Sequence, residues 1–199
     1  MSTVKIPLSP LNAVLYPSCN LDIQVFEPRY LDMVSACLRE EAPFGVISLL
    51  SGSEVGGGAK ELSDVGCSVR IADWHQQENG VLGLRLCGEQ RFRLLSQHEQ
   101  ADGLLIGEVE WLPETSQALS DDEFVGLQAL LRALASHPMV ERLGMQQAPS
   151  DANGLVDQLA YWLPLSLEQK IALLGEVSAA ERLAQLETLL EALQRANHA

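Results

Sequence analysis

The glycine run Gly56-Gly57-Gly58-Ala59-Lys60 is the first place to look for chemistry. A phosphate-binding loop ends in Gly-Lys-Ser/Thr, so that backbone amides cradle phosphate and the hydroxyl holds Mg²⁺. Here Ala59 precedes the lysine and Glu61 follows it, which puts a carboxylate where a hydroxyl is needed. The run reads as a loop with little to pack, extending from Ser51 to Lys60. The four histidines, His75, His98, His137 and His198, are isolated, and none forms an H-E-x-x-H or H-x₃₋₅-H pair. Cys19, Cys37, Cys67 and Cys87 lie 18, 30 and 20 residues apart. That is too far for two thiolates to grip a metal from one turn, and each sits among apolar neighbours, so they read as buried, reduced thiols. No serine occupies a G-x-S-x-G elbow. Glu40-Glu41 and Asp121-Asp122 are adjacent on helical patterns and do not face each other. These residues imply no catalytic centre, no metal and no cofactor.

The charge balance narrows the partners. With 13 basic and 27 acidic residues the net charge is −14, which opposes nucleic acid and anionic membrane surfaces. The best basic candidate is Arg85, Arg91, Phe92 and Arg93. Glu89, Glu99, Glu108 and Glu110 are close by in sequence, so cross-strand ion pairing is the preferred reading. The first ten residues hold one lysine and two prolines rather than the apolar run of a signal peptide. No stretch approaches 18 apolar residues. The expectation is a soluble cytoplasmic protein.

The elements that would position these groups change character near residue 115. Up to Pro113 the period is mostly two. Leu21, Ile23 and Val25 alternate with polar residues, and Phe44 to Leu50 is a buried run. Residues 66–112 read as a four-stranded antiparallel meander, with turns at Asn79-Gly80, Gly88-Glu89 and Asp102-Gly103. One helix interrupts, opening with Pro28 and ending near Glu41 before Pro43. From Ser120 the period is 3.6, and three capping-box patterns start helices at Ser120, Ser166 and Ser178. The predicted helices are 120–136, 151–163, 166–175 and 178–196. In the first, Phe124, Leu127, Leu131 and Leu134 point inward. In the last, Leu183, Leu186, Leu190 and Leu193 form a seam assigned to packing within the chain. Pro113–Ala118 reads as a hinge and 144–154 as a looser connection. The fold class is α+β, with units 1–115 and 116–199.

Five ordered segments resemble the Lon N-terminal (LON substrate-binding) domain family. They are Ile6-Pro7-Leu8, Asn12-Ala13-Val14-Leu15-Tyr16-Pro17, Phe26-Glu27-Pro28-Arg29-Tyr30, Val65-Gly66-Cys67 and Gly88-Glu89-Gln90-Arg91-Phe92-Arg93. Trp162-Leu163-Pro164-Leu165 and Glu181-Arg182-Leu183 resemble the end of that domain. The resemblance implies a PUA-like antiparallel pseudo-β-barrel followed by a helical bundle. It also implies a non-catalytic role in capturing protein substrates, without the family's ATPase and Ser–Lys protease domains. Ser18 departs from the pattern, since relatives usually have glycine after the proline.

On this reading the partner is an unfolded polypeptide or a dedicated protein, the chain is a monomer or weak homodimer, and it serves as an adaptor in protein quality control. Leu11 to Tyr16, with Leu11, Val14 and Tyr16, has two readings: an edge or exposed patch open to an extended peptide, or ordinary core packing. Phe26, Pro28 and Tyr30 anchor the helix to the barrel, and Glu27 with Arg29 fixes that corner. A groove between barrel and bundle, lined by Trp74, Trp111 or Trp162, is the other candidate. Two alternatives stay open: a small hydrolase with a site assembled from scattered residues, and a PUA-like RNA binder, which the negative charge opposes.

Overall fold

A computed structural model describes residues 3–56, 60–77, 80–115, 119–136, 149 and 151–197. His137, His198, Asn79, residues 57–59, residues 116–118 of the hinge and nearly all of 144–150 therefore lie outside the described residues. The chain divides into two compact units, Met1–Leu112 and Pro113–Ala199.

Among the described residues the first unit holds six strands and one helix: β1 Thr3–Leu11, β2 Asn20–Val25, α1 Pro28–Glu40, β3 Phe44–Ser51, β4 Glu61–Gln76, β5 Leu82–Glu99 and β6 Leu105–Trp111. The strand order is β2-β5-β4-β3-β1-β6, and a further β5–β6 ladder closes β5-β4-β3-β1-β6 into a ring. β1 runs parallel to β3; every other ladder is antiparallel. β1 tolerates two prolines because its partners change along its length. Thr3–Leu8 pairs with β6 and Leu8–Leu11 with β3. Pro7 thus has no partner on the β3 side and Pro10 none on the β6 side, and such one-sided pairing is where a strand accommodates proline.

The expected four-stranded meander has three strands. Gly88-Glu89 is not a turn: β5 runs straight through it, with Gly88 opposite Val69. Glycine is needed there for close approach rather than for a reversal. A Cβ at Gly88 would stand 2.1 Å from the Tyr16 carbonyl oxygen. The Ser18 N–H donates to Gly88 O at 2.8 Å and the Gly88 N–H to Cys19 O at 2.9 Å. Bulges between Cys67 and Val69, Ile71 and Asp73, and Leu94 and Ser96 bend the long strands so that each serves two parts of the ring. Gly103, at φ +86°, makes the expected turn before β6. Ser18 takes φ +58°, a left-handed conformation that glycine adopts without strain.

Ile6, Leu8, Ile47, Phe92, Leu105 and Val109 form the barrel core, with Leu62, Leu94 and Trp111 against it. Phe92 meets Trp111 edge to face, with ring centroids 6.3 Å apart. A Cβ at Gly66 would lie 2.4 Å from the Phe92 ring, so glycine makes the seat for that ring.

The second unit contains, among the described residues, α2 Asp121–Ala135, α3 Ala152–Trp162, α4 Leu167–Gly175 and α5 Ala179–Asn197. The Ser120–Glu123 and Ser166–Gln169 capping boxes are complete. At Ser178 only half is made: its hydroxyl accepts from Glu181 N–H at 3.3 Å, while its own N–H donates to Glu176 at 2.8 Å. Leu131, Leu155, Leu159, Leu173, Leu183 and Leu186 are buried here. Arg182 and Asp157 form a buried ion pair at 3.4 Å. No helix of the described residues is long and apolar enough to cross a membrane.

Candidate functional site

Phe26-Glu27-Pro28-Arg29-Tyr30 turns the chain from β2 into α1. Pro28 fills the first helical position, where its missing N–H is harmless. Glu27, at the N-cap, makes no side-chain cap bond. Its carboxylate instead accepts from Arg29 at 2.8 Å and from the Gly56 N–H at 3.3 Å. The Arg29 side chain is only 8% exposed. Its guanidinium donates to Gly103 O and Gly56 O, each at 2.8 Å, and lies 4.9 Å from the centre of the Tyr30 ring. Planar, forked donors suit this three-way contact better than an ammonium would.

The glycine-rich loop, expected to have little to pack, is held at both ends of its described part. Lys60 donates to Ser53 O at 2.5 Å and Glu54 O at 3.2 Å, and the Asn12 N–H donates to the Glu54 carboxylate. Burial, with the Arg29 charge nearby, pushes the Lys60 ammonium below its usual pKa.

Beside this latch the wall of the unit is open. β6 leaves β1 after Leu8, and among the described residues β2 is paired with β5 alone. Between Ser9–Leu11 and Ile23–Phe26 no ladder forms among the described residues. A cleft of about 100 Å³ occupies the gap, backed by Phe44 and Leu84 and bounded by Tyr30, Met33 and Val34 of α1 and by Glu54 and Val55 of the loop. This is several times the room one water needs. Phe26 is 53% exposed and Val55 52%. Burial raises the Tyr30 hydroxyl above its usual pKa, so it is a neutral phenol at physiological pH. Apolar walls with a few polar groups at the rim suit an apolar side chain carried by a peptide.

Three of the residues singled out from the sequence, Leu11, Phe26 and Tyr30, meet in this cleft. Pro28 and Arg29 hold its corner. Val14 and Tyr16 do not line it; they are core residues, Tyr16 with no exposed surface. Leu11–Tyr16 is therefore not an edge strand. β1 stops at Leu11, and the next residues turn inward, with Ala13 O accepting from Ser48 at 2.9 Å. Trp74 stands apart on β4 and is 55% exposed. Trp111 packs on Phe92, and Trp162 lies 5.0 Å from Tyr161 within the second unit.

The arginine patch is dispersed. Arg85 holds Asp22 with two 2.8 Å bonds, Arg93 pairs with Asp64 at 3.5 Å, and Arg91 is buried. Of the acids named for pairing, Glu89 is used, by Arg70. No cluster of three metal-ligating side chains occurs among the described residues. Sequence reasoning missed Val55 and the Gly56 and Gly103 carbonyls. A loop valine carries no periodic signal, and a backbone acceptor carries no residue type.

A family model described as the ATP-dependent protease La (LON) substrate-binding domain matches residues 5–192. Lon protease 1 of Hydrogenovibrio crunogenus is 23% identical, over 94% of this chain and 24% of its own length. Protein cereblon of Danio rerio is 28% identical, over 70% of this chain and 32% of its own. The chain thus spans a minor part of each. Among solved structures, a Lon N-terminal domain protein from Xanthomonas campestris is 33% identical, covers 93% of this chain and 98% of its own, and superposes with a TM-score of 0.75. The N-terminal domain of a Mycobacterium avium complex Lon protease shares the fold at 19% identity, with a TM-score of 0.62 over 92% of this chain. With residues 5–192 matched, the chain belongs to the Lon substrate-binding domain family.

Proposed function

We propose that this chain captures protein substrates as a polypeptide-binding module, working in the cytoplasm as an adaptor in protein quality control, and that the cleft at the β2–α1 corner is where it does so. The observation that carries this reading is the meeting of Leu11, Phe26 and Tyr30 with Val55 at one open gap in the wall. A partner's apolar side chain seated there would cover Phe26 and Val55. Removing on the order of 100 Å² of apolar surface from water is worth roughly 2–3 kcal/mol. Several such contacts along one unfolded chain add through effective concentration. The buried Arg29 latch keeps the cleft preformed, which lowers the ordering cost of binding. Cys19, Cys37, Cys67 and Cys87 form no disulfide, which suits a reducing compartment. ATP hydrolysis and peptide cleavage form no part of this role.

The test is binding of a fluorescently labelled, permanently unfolded protein to the chain and to its Val55→Asp variant. The proposal predicts saturable binding by the parent chain and loss of most of it in the variant, with circular dichroism unchanged. Equal binding by both would remove the cleft from the account.

A further inference from the structure

The second open feature of the barrel is the outer edge of β4. The β3–β4 ladder ends at the Phe44–Val69 pair, where β3 begins. From Arg70 to Gln76, β4 is paired with β5 alone among the described residues, so a stretch of about 23 Å has no described strand on its other side. Where that ladder ends, a groove of about 450 Å³ opens between this edge and the C-terminal half of α1, lined by Cys37, Leu38, Glu41, Arg70, Ile71 and Glu89 among others. Leu38 is 44% exposed, and Trp74 lies farther along the same edge. Ile71 and Trp74 stand opposite Leu86 and Leu84, which are core residues, so both positions belong to the strand face that turns inward.

We infer that this edge is a docking site for one extended segment of a partner polypeptide, which adds a strand beside Arg70–Gln76 in line with β3. The strand's main chain would take up the ladder groups that β4 leaves open. Its alternate side chains would lie against Leu38, Ile71 and Trp74. Charge fixes the partner's chemistry further. Glu41 caps α1 with a left-handed conformation at φ +52°, at the negative end of the helix dipole. Glu89 pairs with Arg70 at 3.4 Å, and Glu41 lines the same groove, so its lining carries two carboxylates and one guanidinium. The segment that fits is one of alternating apolar residues with a lysine or arginine where it passes Glu41. The bulge between Ile71 and Asp73, and the Asp73 carboxylate on the Trp74 N–H at 2.9 Å, are features that keep an edge from pairing indiscriminately. This inference rests on the reading of the chain as a polypeptide binder but uses a surface separate from the corner cleft.

The experiment uses an array of synthetic peptides with alternating apolar and polar residues and a terminal lysine or arginine, in parallel with the labelled unfolded protein. Expected are bound peptides that slow amide exchange in Arg70–Gln76. They lose about tenfold or more in affinity when alternate amides along one of their edges are N-methylated, but not along the other. A double variant, Leu38→Glu with Trp74→Ser, weakens them similarly, whereas Val55→Asp does not. Protection at Ser9–Leu11 and Ile23–Phe26 instead, or indifference to N-methylation, overturns the inference. So does a chain dimer abolished by Leu38→Glu, which would make the occupant a second copy. If no peptide binds while the unfolded protein is still captured through Val55, the edge falls and the corner cleft stands. If neither binds, both fall.

Discussion

The Arg29 guanidinium donates to the carbonyl oxygen of Gly103, 74 residues further along the chain, at 2.8 Å. With its bonds to Glu27 and Gly56, it joins the start of α1, the glycine-rich loop and the β5–β6 turn in one buried contact. Arg29→Ala leaves the Glu27 carboxylate and two carbonyls without this donor, and should cost about 2–4 kcal/mol in chemical denaturation. Arg29→Lys keeps the charge but not the fork, so it should recover less than half of that. Faster amide exchange at Gly56 in both variants would place the loss at the loop.

Gly88 and Gly126 make a contrasting pair. A Cβ at Gly88 meets the Tyr16 carbonyl at 2.1 Å, whereas one at Gly126, inside α2, meets nothing within 4 Å. Gly88→Ala should destabilise by about 2 kcal/mol or more, since backbone must move. Gly126→Ala should stabilise by roughly 0.5–1 kcal/mol through helix propensity. Thermal unfolding of the two variants checks both signs.

Asp22 and Arg85 predict a small pH effect. The two hydrogen bonds from Arg85 hold the Asp22 carboxyl below its ordinary value of 3.8. A folded pKa below the unfolded one gives stability that is complete above the unfolded value and is lost as pH falls through the folded one. Both side chains are more than half exposed, so solvent screening limits the pair to about 0.5 kcal/mol. Asp22→Asn should therefore cost about that much at neutral pH, less at high salt, and nothing well below pH 3.8.

Arg182 and Asp157 are both buried in the helical unit, 3.4 Å apart. Removing the carboxylate leaves the Arg182 guanidinium buried without its counter-charge. Asp157→Ala should cost about 3–5 kcal/mol, while exchanging both for apolar residues of similar volume should cost far less. A double-mutant cycle measures the difference.

Much of the fold was legible because it follows from period and punctuation. The switch from period two to 3.6, Pro28, and the serine caps at 120 and 166 place elements within a residue or two of those observed. The part not legible is tertiary. Gly88 has the residue type of a turn but meets Tyr16 across the barrel, and no local rule distinguishes close approach from reversal. Val14 and Tyr16 fit an apolar edge or a core segment equally in sequence; the chain turns inward where Ser48 donates to Ala13 O, and Gly88 bonds Ser18 and Cys19 just beyond. Of the proposed cleft, Leu11, Phe26 and Tyr30 were visible as residue types, and their meeting was not. The gap that joins them arises where β6 leaves β1 and β2 has no second partner among the described residues, a property of the sheet order.

The most direct measurement is the affinity of the labelled unfolded protein for the parent chain and for Phe26→Glu, by fluorescence anisotropy with the fold confirmed. Phe26 is half exposed, so its substitution leaves the core intact. The account predicts binding by the parent and a loss of about tenfold or more when a carboxylate replaces the ring at the cleft. Binding that is absent in the parent, or unchanged in Phe26→Glu, would contradict it.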